Sequence, residues 1–591
     1  MLDSRLYRAA FVPVLFSVLI AAFALAERPR AIGTTLAPDA FDGRRAFSTL
    51  TELRRTFPNR RPGSPGDDAL ARRVEQDLRA TFPPGSVRTV RRAAETIDGE
   101  ATLTSVIAER TGRDVRRLVV VAQRDAAQSE EAARLSGTAA MLELARLFEG
   151  RALRRTVTFV STSGGSGGME GVRDALRSIN GPTDAVLALG DLAGVQTRRP
   201  MVVPWSETSG TAPVRLRRTV ENALQQETEL DPGSPRALAQ LARLAVPITL
   251  TPQGAAAAQG FSAVTLQVSG ERGPAADTEV SRARLEVFGR GVLRSIGALD
   301  NGPDVPSGPR EYLLVQRRVM PSWTVLMLAG LLLLPALLGA VDGLARVRRK
   351  REPVAIWLRW LAAAAAPFVI AALVTRLLGL AGVVPSLAGT VDPESVAPDA
   401  GALVGVALTL VLGFALRGPV GRVLGVPRRP RDGGPYPVGA AAAIGIVLAL
   451  LAVGVWIVNP YTALLLAPAV HLWLLAVVPE VRLPRLALVG LVLLGLVPLA
   501  LVGLYYSAQF GLDPVELAWM ALLLAAGGSA GPLGILVWSL VLACGIGAAS
   551  VAVRKRRRAH HDPEDGPVTI RGPVSYAGPG SLGGTESALR G

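Results

Sequence analysis

Histidine and cysteine are almost missing from this chain. Its 591 residues include His471, His560, His561 and a single cysteine, Cys544. Between Glu27 and Pro321 there is neither residue type. No intrachain disulfide can form, so this long stretch has to be stable through an apolar core, and it is long enough to build one. It also lacks the His or Cys ligands that catalytic zinc ordinarily takes, and the imidazole that activates a serine nucleophile. Lysine is nearly absent: Lys350 and Lys555 are the only two, and the other basic residues are arginines. The net charge is +16. Much of it sits in short loops between apolar runs, where membrane topology accounts for it. No nucleic-acid partner is expected.

Apolar residues are plentiful, at 49%, and unevenly spread. Residues 27–321 are mixed and charged, like a globular domain. Residues 322–553 are mostly Leu, Val, Ala and Gly, with several runs of the roughly 20 residues that cross a bilayer core as a helix. Arg5 and Arg8 precede the apolar run Phe11–Ala26 within residues 1–26. We read that run as a transmembrane signal anchor, with Ala24-Leu25-Ala26 leaving cleavage open. Seven further spans are expected at about 324–343, 354–378, 401–416, 438–458, 461–478, 486–506 and 531–553. Val515–Gly527 is apolar but short, as a re-entrant or interfacial segment would be. Residues 554–591 are rich in Gly, Pro and Ser and read as a disordered tail.

The loops give an orientation. Arg346–Arg351, the group Arg428, Arg429 and Arg431, the pair Arg482 and Arg485, and Arg554–Arg558 are basic. The intervening Ala381–Ala400 carries Asp392, Glu394 and Asp399 with no arginine, and Ser507–Asp513 has no base. This alternation predicts a multi-pass protein of the cell membrane, both termini cytoplasmic and residues 27–321 outside. The polar residues in or near the spans are Asp342, Arg359, Arg376, His471 and Glu516. All but His471 fall near span ends, where long side chains reach the interface. His471 is expected to be packed and hydrogen-bonded, and an ion-coupled transporter is not indicated. The bilayer is the expected partner, with room for protein partners within it.

In residues 27–321 apolar runs of strand length alternate with helical periods. Strands are expected at Arg117–Val121, Thr156–Ser161, Ala185–Leu189 and Ala263–Val268. Helices are expected at Leu135–Phe148, Met169–Ile179 and Ser281–Ala298. This predicts an α/β domain, a sheet with flanking helices, ahead of an all-α transmembrane bundle. Chemistry in such sheets gathers at the carboxyl ends of strands. Those ends read Gln123-Arg124-Asp125, then Ser163-Gly164-Gly165-Ser166-Gly167-Gly168, then Gly190-Asp191.

With Arg61-Pro62-Gly63-Ser64, Ser136-Gly137 before the helix LELARLF, VTFVSTSGG, ALGDLAG, GFSAVTLQ and Ala276-Asp277-Thr278, these segments resemble the aminopeptidase-Y-like zinc exopeptidases over about Ala46 to Leu299. The resemblance implies a zinc-exopeptidase-like mixed sheet whose strand ends once held two zinc ions. It places Gln123 where the first His ligand belongs, and Asp125 as the Asp that orients that His. The bridging Asp falls at Ala133, beside Glu130 and Glu131. The general base and the next ligand fall at Gly165 and Ser166. Asp191 retains a ligand, and the last His falls at Gln253. A dinuclear zinc centre on the family's plan is therefore not expected: no metal and no cofactor, with zinc only if this reading fails. An all-carboxylate site using Asp125, Asp191 and Glu130 or Glu131 is the remaining metal option.

Gly164-Gly165-Ser166-Gly167-Gly168 also matches the nucleophile elbow between a strand and a helix. With no His or Lys in the domain to take the hydroxyl proton, serine hydrolysis is not expected. The loop could instead turn backbone N–H groups toward an anion, or be a vacated metal turn filled by small residues. Members of the superfamily without zinc ligands, such as the transferrin receptor ectodomain, act by binding. The layout here also resembles that of the attachment subunit of GPI transamidase. The expected function is a catalytically inactive, membrane-embedded binding or assembly subunit. The alternatives are a hydrolase with an atypical metal site and a transporter or lipid-handling protein.

Overall fold

A computed structural model describes the chain except residues 1–3, 35–37, 130, 234, 303–310, 317, 427–435, 437, 479, 482 and 555–591. The expected basic residues Arg428, Arg429, Arg431 and Arg482, the tail after Arg554, and Glu130 lie outside the described residues.

The first apolar run forms α1 (Ser4–Phe23), followed by β1 (Ala26–Glu27). The domain continues with α2 (Gly43–Thr56), α3 (Pro65–Thr81), β2 (Val87–Thr96), β3 (Gly99–Arg110) and β4 (Asp114–Gln123). Then come α4 (Ala132–Leu147), β5 (Arg155–Thr162), α5 (Glu170–Arg177), β6 (Thr183–Leu189), β7 (Val202–Val203) and α6 (Val214–Thr228). It closes with α7 (Ala237–Ala245), α8 (Pro252–Ala258), β8 (Ala263–Leu266), α9 (Arg282–Asn301), β9 (Tyr312–Val315) and β10 (Arg318–Pro321). Every strand and helix expected from the sequence in this region is present.

Seven strands form one mixed sheet in the order β2-β3-β5-β4-β6-β8-β7. The centre, β5-β4-β6-β8, is parallel. β2 and β3 extend one side antiparallel and β7 closes the other. β4 shows why the core has two layers. Leu118, Val120 and Ala122 enter a core built with α2, α3, α4, α6 and α9, while Val119 and Val121 enter a second core with α5 and α8. The two-residue period of a strand sends neighbours to opposite faces, so a strand covered on both sides reads as a continuous apolar run.

A second, three-stranded sheet, β1-β10-β9, joins the two places where the domain meets the apolar helices. Ala26 pairs with Val319 and Glu27 with Arg318, so the chain leaving α1 and the chain entering the bundle are held side by side.

The second half folds as α10 (Ser322–Arg349), α11 (Ala355–Leu380), α12 (Ala400–Val423), α13 (Val438–Val458), α14 (Pro460–Val477), α15 (Arg485–Phe510), α16 (Pro514–Ala526) and α17 (Pro532–Arg554). Seven of these are long and apolar enough to cross a membrane, all but α16. They match the seven runs expected after Ser322. The N-terminal run, which the sequence reading counts as an eighth span, is a shorter apolar helix over Arg8–Phe23 of α1 and packs along α10.

The connections expected on the domain's side of the bundle are the ones that touch the domain. Asn459, between α13 and α14, donates to Leu244 O at 2.8 Å. Arg272 of the domain pairs with Asp392, between α11 and α12, at 3.1 Å and donates to Phe510 O at 3.0 Å. α16 begins and ends at this same level. Its N-cap neighbour Glu516 lies 3.9 Å from Arg272, Trp519 donates to Val396 O, and Gly527 abuts Leu387 O. α16 therefore returns to the side it starts from, as the re-entrant or interfacial reading expects.

Within the bundle His471 Nε2 is 2.9 Å from Leu332 O of a neighbouring helix. Asp342 pairs with Arg346 one turn on, at 2.6 Å. Arg376 donates to Ser386 Oγ at 3.0 Å and Glu516 accepts from Asp513 N at 2.9 Å, while Arg359 is exposed.

Candidate functional site

β4, β5 and β6 end side by side: Ala122 pairs with Leu189, and Gln123 with Thr162. The turn after β5 folds over the end of β4. Gly165 N and Ser166 N donate to the two carboxylate oxygens of Asp125 at 2.9 and 2.8 Å, and Ser166 Oγ donates to Oδ2 at 2.7 Å. The loop does present N–H groups to an anion, and that anion is the chain's own carboxylate. Ser166 Oγ thus donates to a carboxylate, where the Ser-His arrangement of a serine hydrolase has an imidazole.

Gln123 lies directly above this turn. A Cβ at Gly165 would stand 2.3 Å from its Cδ, and its Nε2 reaches Met169 Sδ. There is no space at 165 for the carboxylate of a general base while Gln123 holds its present place.

The end of β6 is closed in the same way. Asp191 Oδ1 accepts from Ala193 N at 2.9 Å and Gly194 N at 2.8 Å, and from Ser136 Oγ at 3.3 Å. Ser136 Oγ also bonds Ala133 O at 2.5 Å and accepts from Leu192 N at 2.7 Å. Burial drives the Asp191 carboxyl above its ordinary range, against the pull of the Ala193 and Gly194 amides. Close packing forces this geometry: α4 approaches β6 at Gly137, where a Cβ would meet Gly190 O and Leu189 O at 2.6 Å.

Gln253, in the first turn of α8, is fully buried. Its amide donates to Trp205 O at 2.9 Å and Thr249 Oγ1 at 3.1 Å, and accepts from Thr265 Oγ1 at 2.5 Å. These bonds tie it to β8, next to β6, and none runs to Gln123, Asp125 or Asp191. The structure thus joins Gln123, Asp125, Gly165 and Ser166 in one contact group and Asp191, Ser136 and Ala133 in a second on the neighbouring strand, with Gln253 in a third.

Among the described residues no three of His, Cys, Asp and Glu converge as metal ligands would. Zinc does not fit the donors that are present. Gln amides are poor donors, both oxygens of Asp125 are already taken by N–H and O–H groups, and Asp191 is held through Oδ1 with Oδ2 left as a single buried oxygen.

Several residues that the sequence reading passed over shape the site. Arg134, in the first turn of α4, pairs with Glu131. Its guanidinium is held more firmly protonated than usual: burial opposes this, and the charges of Glu131, Asp392 and Asp125 overcome it. An internal cation therefore stands in the acidic surroundings of this edge. Beneath it Arg124 and Asp67 form a wholly buried ion pair at 2.8 Å. Arg124 also donates to Thr104 O and Ser161 O at 2.6 and 3.3 Å. Only the missing lysines hinted at such roles, since arginine has to serve at every buried cationic position.

The edge is also covered. In the connection between α11 and α12, Leu387 and Val391 pack over the glycine turn. A Cβ at Gly167 would meet them at 3.1 and 3.4 Å, and one at Gly168 would meet Leu387 at 3.3 Å. Ile97, Ala127, Val384, Leu387, Val391, Trp519 and Leu523 share one buried cluster. At the rim Arg173 pairs with Glu170 at 2.9 Å and with Glu207, beside Gly389 of the same connection.

Comparison with solved structures finds glutaminyl cyclase from an Acidobacteriales bacterium at 15% identity and a TM-score of 0.34, covering 46% of this chain and 99% of that one. A zinc aminopeptidase from Bacillus subtilis matches at 11% identity and a TM-score of 0.35, covering 43% and 94%. The LapA aminopeptidase of Legionella pneumophila matches at 12% identity and a TM-score of 0.36, covering 45% and 73%. No family model matches the chain, and no curated protein matches it.

Proposed function

We propose that this chain is a membrane-embedded, catalytically inactive zinc-peptidase-like protein, acting as a binding or assembly subunit with residues 27–321 at the outer membrane face. One observation carries most of the weight: the strand ends where a peptidase of this type would bind metal and substrate are filled by the chain itself. Asp125 is consumed by the Gly165–Ser166 turn, Gln123 fills the space above Gly165, and Leu387 of the bundle lies over Gly167 and Gly168. A hydrolase needs an open position for water and substrate beside its metal. The described basic residues Arg346–Arg351 and Arg554, at helix ends away from the domain, support the outward placement of the domain.

The test is an aminopeptidase assay on the full-length protein in detergent, with aminoacyl substrates and peptides bearing N-terminal Gln. No turnover above the blank is expected, with or without added zinc. Chelator-sensitive hydrolysis that disappears in Asp191→Ala would overturn the proposal.

A further inference from the structure

Between Glu27 and Pro321 the described residues expose only three large apolar side chains: Val115, Val195 and Leu238, at 74%, 47% and 80%. Val115 opens β4, at the end of the strands opposite the bundle. The other two lie on the side facing it.

Leu238 is on α7, whose last turn is fastened to the bundle. Asn459 and Thr462 donate to Leu244 O and Ala245 O at 2.8 and 2.6 Å. Ala245 and Leu241 pack with Tyr461, Leu464 and Leu465 of α14. Leu238, Leu241 and Ala245 are spaced i, i+3, i+7, which places them on one helix face. The apolar stripe that α7 lays against α14 thus continues past the bundle to Leu238, which no described residue covers.

Val195 belongs to an exposed tip, residues 195–199. The tip runs beside the approach to α7: a Cβ at Gly233 would stand 3.1 Å from Arg199 Cβ. A Cβ at Gly270, just before the residues that grip the bundle, would stand 2.9 Å from Arg198 Cβ. Arg198, Arg199 and Arg236 are exposed, and none makes an ion pair among the described residues.

We propose that this patch seats the domain on the lipid beside the bundle. Leu238 and Val195 enter the headgroup region of the adjoining leaflet, and Arg198, Arg199 and Arg236 bind lipid phosphates. This rests on reading the seven long helices as membrane-inserted. Exposed apolar side chains flanked by arginines are what binding at a lipid interface requires.

The single cysteine makes the test direct, because Cys544 is buried in the bundle and Cys544→Ala leaves a cysteine-free chain. Leu238→Cys, Val115→Cys and Leu408→Cys, the last on the exposed face of α12, are each spin-labelled in the full-length protein in phosphatidylglycerol vesicles. Oxygen, which concentrates in lipid, is compared with a water-soluble nickel complex as relaxing agent. The label at 238 should favour oxygen, as at 408, while that at 115 should favour nickel. Adding Arg198→Gln, Arg199→Gln and Arg236→Gln should shift position 238 toward nickel. Position 238 matching position 115 while 408 stays in lipid would overturn the inference, and an unchanged label in the arginine variant would remove its phosphate contacts. A nickel preference at 408 would instead refute membrane insertion, on which the inference rests.

Discussion

Replacing Arg243 by alanine should loosen the joint between the domain and the bundle more than any other single change. The guanidinium is buried, with Glu271 as its charged partner: the two side chains are 1% and 0% exposed. It donates to Glu271 Oε1 at 2.9 Å and to the Tyr505 hydroxyl at 2.9 Å. It also lies 5.0, 5.2 and 5.4 Å from the ring centres of Tyr506, Phe510 and Tyr505 at the end of α15. Alanine would leave the Glu271 carboxylate buried and unpaired, a loss of about 3–5 kcal/mol. Desolvated stacking on the rings adds roughly 0.5–2 kcal/mol.

Because a chain of two parts need not unfold in one step, the readout should be local. Hydrogen exchange in the full-length protein, followed over α7 and the outer end of α15, should show protection falling about a hundredfold or more, since each ~1.4 kcal/mol is a factor of ten. The paired change Arg243→Met with Glu271→Gln removes both charges and should recover much of that loss. A fall of less than about tenfold in Arg243→Ala, or a double variant no better than the single one, would refute the reasoning.

Asp67→Ala leaves Arg124 charged in the core and should cost roughly 3–5 kcal/mol in denaturant melts, with Asp67→Asn plus Arg124→Met costing less. Gly165→Ala should destabilise by about 1–3 kcal/mol through overlap with Gln123, and Gln123→Ala in the same chain should relieve most of it; a neutral Gly165→Ala would mean that Gln123 is not where we place it. Asp191 binds a proton more readily folded than unfolded, so the stability it contributes is present at low pH and lost as pH rises through its raised folded-state value. Asp191→Asn should remove this component, so that Tm of the wild type relative to the variant rises as pH falls below neutral; a difference independent of pH would contradict it.

The parallel centre of the sheet could be read from runs such as VTFVS and LVVVA because both faces of those strands are covered, leaving no polar alternation to blur them. β2 escaped because Arg88, Arg91 and Arg92 interrupt any apolar period, and its order comes from ten pairings with β3. β1, β9 and β10 are too short to carry a period at all. At the site, the missing histidines were plain in the residue list, and Asp125 and Asp191 were found by their places after strands. What fills the strand ends was not readable, because it is assembled from distant segments: Arg134 faces Asp392 from the other half of the chain, and Leu387 reaches Gly167 across more than two hundred residues. Gln253 serves the packing of α8 on β8 through Thr265.

Metal content of the full-length protein tests the central claim most directly. The protein is purified from cells supplied with zinc, dialysed without chelator, and its metals are counted per chain by mass spectrometry alongside Asp191→Ala. With Gln123 and Gln253 in place of imidazoles and both remaining carboxylates bonded to the chain itself, the account predicts zinc far below one ion per chain and the same trace in the variant. Close to two zinc ions per chain, lost in Asp191→Ala, would contradict it.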